Sequence, residues 1–202
     1  MGAVIPHRHD TSRIGLLGGS FNPAHEGHRE ISLLALKRLN LDAVWWLVSP
    51  GNPLKDASSY APFDERLKVA RKVADHPRII VSNFEERKGL QYTVDTIETL
   101  KALWPQIDFV WLMGADSLAS FHRWRDWRRI ANLVPFAVFN RPGHEAAWKA
   151  APAAEALAAF RIDEGSAETL AGAEPPAWVF LSGPANPQSS TALRAARNAA
   201  PR

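Results

Sequence analysis

The chain has 202 residues, no cysteine, 46% apolar and 22% charged residues, and a formal net charge of +3. That length supports one sizeable core and the composition is that of an ordinary globular protein, while the missing cysteines exclude a disulfide framework, thiolate catalysis and a Cys-built zinc site. No apolar run reaches the roughly 18–20 residues that cross a bilayer, and the start, MGAVIPHRHDTSR, lacks the apolar stretch of a secretory signal, so a cytoplasmic protein without membrane partners is expected. The mild positive charge suits nucleic acid or a pocket for small polyanions equally well.

Short β-rich runs alternate with helical stretches, which predicts an α/β protein with an open, mostly parallel sheet and helices on both faces. The first strand is expected at 14–17. A helix follows over 27–39, with Ile31, Leu34, Ala35 and Leu39 at helical spacing. A strand at 43–49 precedes a helix over 63–74, where Phe63, Leu67 and Ala70 share a face and Asp64 is available as a cap. A strand at 78–82 leads to a helix over 93–103 with Ile97, Leu100 and Leu103 similarly spaced. Strands are expected at 108–113 and 135–139. The Ala-rich stretch 146–160 reads as helical, 165–176 as a loop, and 177–181 as a strand. A last helix opens at 189–191 and runs through Leu193 towards Asn198. With no repeat and no long linker, residues 1–202 form a single domain, and residues 1–12 read as a flexible extension.

The stretch GGSFNPAHEGH, residues 18–28, carries the clearest chemistry. It follows a strand, and ligands of open parallel sheets bind beyond the carboxyl ends of strands. Gly18 and Gly19 permit tight backbone geometry and close approach, Pro23 helps set the turn, and the helix start offers unpaired N–H groups to an anion. His25 and His28, three apart, project from one side of the first helical turn, with Gly27 keeping bulk away between them. A Walker loop requires Gly-Lys at a fixed spacing and a dinucleotide fingerprint requires GxGxxG; neither is present. The histidines stand as HExH rather than HExxH, without an obvious third ligand, so a metal site is the weaker reading and no protein metal ligand is named.

GSFNPAHEGH is similar to the GxFxPxHxGH signature of the nucleotidyltransferases that carry the HxGH motif, and SSTALR (189–194) is similar to their second motif, SSTxxR. The chain further resembles bacterial nicotinate-nucleotide adenylyltransferases through GADSLASFHRWRDW (114–127), QYTVDTI (91–97) and GNPLK (51–55). The likeness covers nearly the whole chain and is weakest over 1–12 and 143–176.

The resemblance implies a Rossmann-like fold and adenylyl transfer from ATP to nicotinate mononucleotide, giving deamido-NAD and pyrophosphate. A phosphate nucleophile is already ionised at neutral pH, so catalysis reduces to alignment and charge stabilisation. By the same resemblance, His28 makes the principal contact to the α-phosphate and His25 holds ATP phosphates beside it. Gly18, Gly19, Ser20 and Phe21 line the ATP site. Ser190 and Thr191 cap a second helix start and offer hydroxyl and N–H groups to the β- and γ-phosphates, with Arg194 adding a multi-donor grip. Gly114 lets the backbone approach the nucleoside, and Asp116 caps the next helix and accepts ribose hydroxyls. Mg²⁺ is expected to bridge phosphates, held mainly by substrate and water.

FHRWRDWRR (121–129) alternates aromatic and basic residues, a pattern that fits nucleic-acid stacking or an amphipathic core helix. The resemblance implies a third use, with Trp124 stacking on the pyridine ring and Trp127 in the core; no nucleic-acid partner is then expected. Main-chain amides at Tyr92 and Thr93 are implied to receive the nicotinate carboxylate, and Lys55, with Asn52 nearby, the mononucleotide phosphate. Two other readings remain: the same chemistry on nicotinamide mononucleotide or phosphopantetheine, and a nucleotide-sensing or RNA-binding module without turnover. Relatives often carry a further segment after the SSTxxR helix, so an ATP-side wall thinner than theirs, or completed from elsewhere in the chain, is expected.

Overall fold

In a computed structural model the described residues are 12–51, 60–140 and 148–183. The expected extension over residues 1–12 and the last helix, with its SSTALR motif, therefore lie outside them, save Ser12. The described chain builds seven strands: β1 (Arg13–Gly19), β2 (Ala43–Val48), β3 (Ile79–Ser82), β4 (Asp108–Gly114), β5 (Phe136–Phe139), β6 (Arg161–Ile162) and β7 (Trp178–Leu181). They form one parallel sheet in the order β3-β2-β1-β4-β5-β7-β6. The helices are α1 (Glu26–Arg38), α2 (Phe63–Ala74), α3 (Phe84–Lys88), α4 (Thr93–Leu103), α5 (Ala115–Phe121), α6 (Trp127–Leu133) and α7 (Pro152–Ala156). This is the Rossmann-like arrangement expected.

The strands read as unbroken apolar runs because both faces are covered. Along β2, Val44, Trp46 and Val48 join one core with α1 and α2, while Leu47 joins the other with α4, α5 and α6. On β4, Val110 and Leu112 face the first core and Trp111 and Met113 the second. Period-two alternation therefore divides one apolar strand between two cores.

Several expectations need correction. In α1 the buried positions include Ile31, Ser32, Ala35 and Leu36, and Leu34 is only half-buried. Leu103, expected inside, is exposed as the last residue of α4. Pro62, not Asp64, stands at the N-cap of α2, which places Asp64 in the first turn. Among the described residues of the Ala-rich segment, 148–160, the helical parts are only the short α7 and a 3-10 turn, Ala158–Phe160. Pro152 at the first helical position blocks extension towards the N-terminus. The stretch read as a loop is largely 3-10 helix, Glu164–Gly172, because Ala167, Leu170 and Ala171 pack onto the sheet. Periodicity could not show α3, which spans five residues and stops at Gly89 in the left-handed region (φ 65°).

Candidate active site

The sheet runs from β1 outward to β2 and β3 on one side, and from β4 to β5 on the other. The reversal leaves a crevice at the carboxyl ends of β1 and β4, where open α/β sheets bind ligands. Gly19 ends β1 and Gly114 ends β4. Gly18 has a packing reason for lacking a side chain: a Cβ there would overlap the Trp111 ring of β4. Close approach of a ligand is thus not needed to explain that glycine.

The loop after β1 turns through Phe21, which adopts φ 46°, a conformation L-residues rarely take. Its ring, 1% exposed, stacks on Trp46 with centroids 4.9 Å apart and lies 4.8 Å from the His28 ring. The ring is thus a wall for His28, leaving the backbone as what Phe21 can offer a nucleotide. His25 is the N-cap residue of α1 and His28 the third residue of the helix. Their rings lie 3.8 Å apart, so the structure brings together the two histidines paired by spacing.

His25 donates its backbone N–H to His28 Nδ1 at 3.2 Å, as a Glu or Gln would be used in a capping box. An accepting Nδ1 puts the neutral imidazole's proton on Nε2, which makes His28 a donor there. From behind, Trp46 Nε1 donates to Ser32 Oγ at 2.7 Å and Ser32 Oγ donates to the His28 carbonyl at 2.8 Å. Backbone and indole together fix the histidine through these contacts.

Arg66 holds the neighbouring loops. Buried at 2% exposure, it donates from Nη1 to the carbonyls of Ser20 (2.5 Å) and Ser49 (2.9 Å), from Nη2 to Pro50 (3.0 Å), and from Nε to Ala61 (3.1 Å). One planar cation thereby joins the loop after β1 to the loop after β2. Burial lowers the guanidinium pKa from its ordinary value, and Tyr60 acts in the opposite sense. Each carbonyl left without its donor would cost about 1–3 kcal/mol. Sequence reading passed over Arg66, yet it sits between Phe63 and Leu67/Ala70 on the inward face of α2. A cation within an apolar stripe was the available signal.

On the other side of the crevice, Tyr92 is the N-cap residue of α4 and Thr93 its first residue. Arg125 lies over the Tyr92 ring at 4.5 Å and within 3.9 Å of Asp95, tying the tryptophan-bearing turn to this helix start. That turn separates α5 from α6, so residues 121–129 are not one helix; Asp126 adopts a left-handed conformation there (φ 51°). Trp124 is half-buried and meets Trp111 and Phe121 edge-on, at 6.3 and 5.3 Å. Trp127 is in the core, as expected. Gly114 occupies the N-cap position of α5, so Asp116 is not its cap and lies exposed in the first turn. Asn52, Lys55, Ser190, Thr191 and Arg194 lie outside the described residues.

Among the described residues no helix is long and apolar enough to cross a membrane. The model of the cytidylyltransferase-like family matches residues 16–196, and the chain belongs to that family of nucleotidyltransferases. Within it, the chain belongs with the nicotinate-nucleotide adenylyltransferases. A probable nicotinate-nucleotide adenylyltransferase of Methylorubrum extorquens is 56% identical over 182 residues, 90% of this chain and 98% of the relative. The similarly named protein of Rhizobium meliloti is 49% identical over 185 residues, 92% of this chain and 98% of that one. In fold, the chain is similar to Plasmodium falciparum nicotinic acid mononucleotide adenylyltransferase complexed with NaAD. There the TM-score is 0.68 at 17% identity, covering 93% of this chain and 83% of the other.

Proposed function

We infer that this enzyme transfers the adenylyl group of ATP to nicotinate mononucleotide, forming deamido-NAD and pyrophosphate in NAD biosynthesis. A phosphate oxygen of the mononucleotide attacks the α-phosphorus of ATP, and the bond from that phosphorus to the bridging oxygen of the β-phosphate breaks. No proton has to be removed from the nucleophile, so donors and cations suffice. The observation that carries this reading is the fixed tautomer of His28, a donor at Nε2 beside His25 at the start of α1. Such a donor meets negative charge growing on the α-phosphate without having to reorganise.

His25 holds ATP phosphates next to it, with the backbone of residues 18–21 completing that wall. Gly114 and Asp116 meet the nucleoside. Ser190, Thr191 and Arg194 take the β- and γ-phosphates, and Asn52 and Lys55 the mononucleotide phosphate, by resemblance alone. Trp124 stacks on the pyridine ring, and the Tyr92–Thr93 amides receive its carboxylate. Imidazoles and amides suit phosphate oxygens, whereas Mg²⁺ prefers hard oxygen ligands. An Mg²⁺ would therefore be held by ATP phosphates and water rather than by these residues, and would neutralise phosphate charge. A cytoplasmic location accords with the cysteine-free composition.

The test is pyrophosphate release from ATP and Mg²⁺ with nicotinate or nicotinamide mononucleotide. Faster turnover of the acid is expected. Equal rates would remove the acid preference, and no turnover with either would return the chain to a nucleotide-binding module.

A further inference from the structure

Behind the start of α4 lies a buried acid that phosphate chemistry does not use. Glu85, in α3, is 7% exposed, and its Oε1 lies 2.9 Å from Thr96 Oγ1. Thr96 Oγ1 also lies 3.2 Å from the carbonyl oxygen of Tyr92, the N-cap residue of α4. A threonine hydroxyl has one proton, and both neighbours are acceptors when Glu85 is ionised. Both contacts become hydrogen bonds only with a second proton. A proton on Glu85 completes the relay: the carboxyl O–H donates to Thr96 Oγ1, and the Thr96 O–H donates to the Tyr92 carbonyl. Once ionised, Glu85 draws the threonine proton to itself and leaves a negative charge beneath the helix start.

Burial pushes the Glu85 carboxyl up to about 7, with the Thr96 hydrogen bond opposing. Neighbouring charges are engaged elsewhere. On α4, Asp95 is drawn to Arg125, Glu98 to Arg129, and Lys101 donates to the Leu133 carbonyl. On α3 itself, Glu86, Arg87 and Lys88 are exposed. The adjoining strands β2 and β3 contain no titratable side chain.

We propose that protonated Glu85 is a positioning residue for recognition of the pyridine carboxylate, acting through Thr96 on the Tyr92–Thr93 turn. Discrimination between the nicotinate and nicotinamide nucleotides is then greatest while Glu85 holds its proton. Ionisation removes the Thr96–Tyr92 bond and adds a charge that repels the pyridine carboxylate, the one group the amide substrate lacks. The proposal rests on the nicotinate reading above.

The measurement is kcat/KM for both mononucleotides between pH 6 and 8.5, taken as a ratio. Ionisation of the shared phosphate and of ATP cancels in that ratio. The wild-type acid-to-amide ratio is expected to fall about tenfold over this range, the scale of one partly screened unit charge. Glu85→Gln, neutral throughout, should hold the ratio level, whereas Thr96→Ser, which keeps the hydroxyl, should retain the slope. A flat wild-type ratio, or a slope that persists in Glu85→Gln, would overturn the proposal. Absence of turnover with nicotinate mononucleotide at every pH would overturn the parent reading and this proposal together. Turnover with a flat ratio overturns this one alone.

Discussion

Two helix starts, those of α1 and α4, are built from the same backbone groups and backed by opposite chemistry. Behind α1 stand Phe21, Trp46 and Ser32, with the buried guanidinium of Arg66 fastening the adjoining loops. Behind α4 stands a buried carboxyl whose charge depends on pH. A helix N-terminus offers the same N–H groups and dipole in either case. What packs behind it decides whether the donors are constant or adjustable. The α1 start suits a phosphate that is charged in every turnover, and the α4 start suits discrimination by one charge.

The largest break in this contrast is expected at α1. His28→Ala should lower kcat about 10²-fold or more, the cost of one preorganised donor, and should cost about 1 kcal/mol of folding stability through the lost capping bond from the His25 N–H. A near wild-type kcat would remove His28 from the reaction.

The next effect concerns stability at α4. Because the Glu85 pKa is raised from 4.5 to about 7 in the folded protein, the native chain keeps a proton that the unfolded chain has released across that interval. The associated stability is fully present below about pH 4.5 and is lost as pH rises through 7. Chemical denaturation of wild type and Glu85→Gln between pH 5 and 8 should show wild type losing about 2 kcal/mol relative to the variant. Parallel pH profiles would contradict a buried, titrating Glu85.

A smaller change is expected for Trp124→Ala. The KM for the mononucleotide should rise about tenfold, within the range of one aromatic stacking contact, while the KM for ATP is little changed. Equal rises in both would show that Trp124 supports the crevice as a whole, through Trp111 and Phe121, rather than the pyridine ring.

The frame was legible in the sequence because its signals are local. Apolar runs and helical spacing marked every described strand except the two-residue β6, which is too short for any periodicity, along with the parallel α/β class and the spans of α2 and α4. The three-residue separation of His25 and His28 put both imidazoles on one turn before any tertiary contact was known. Trp127 read correctly as core. Local signals failed where neighbours decide the outcome: Leu103 has the period of a core residue and is exposed as the last residue of α4. Asp64 and Asp116 are good capping residues, yet Pro62 and Gly114 hold those positions. The 3-10 segment at Glu164–Gly172 owes its order to packing on the sheet rather than to propensity.

The sequence by itself therefore determined the fold class, the family and the pairing of the histidines, since periodicity and motif spacing are properties of the chain. Tertiary structure alone decided which nitrogen of His28 carries the proton, that Arg66 binds four carbonyls, and that Glu85 shares one threonine proton with Tyr92. Each of these depends on desolvation and on donors brought close by folding, and neither quantity exists along an extended chain.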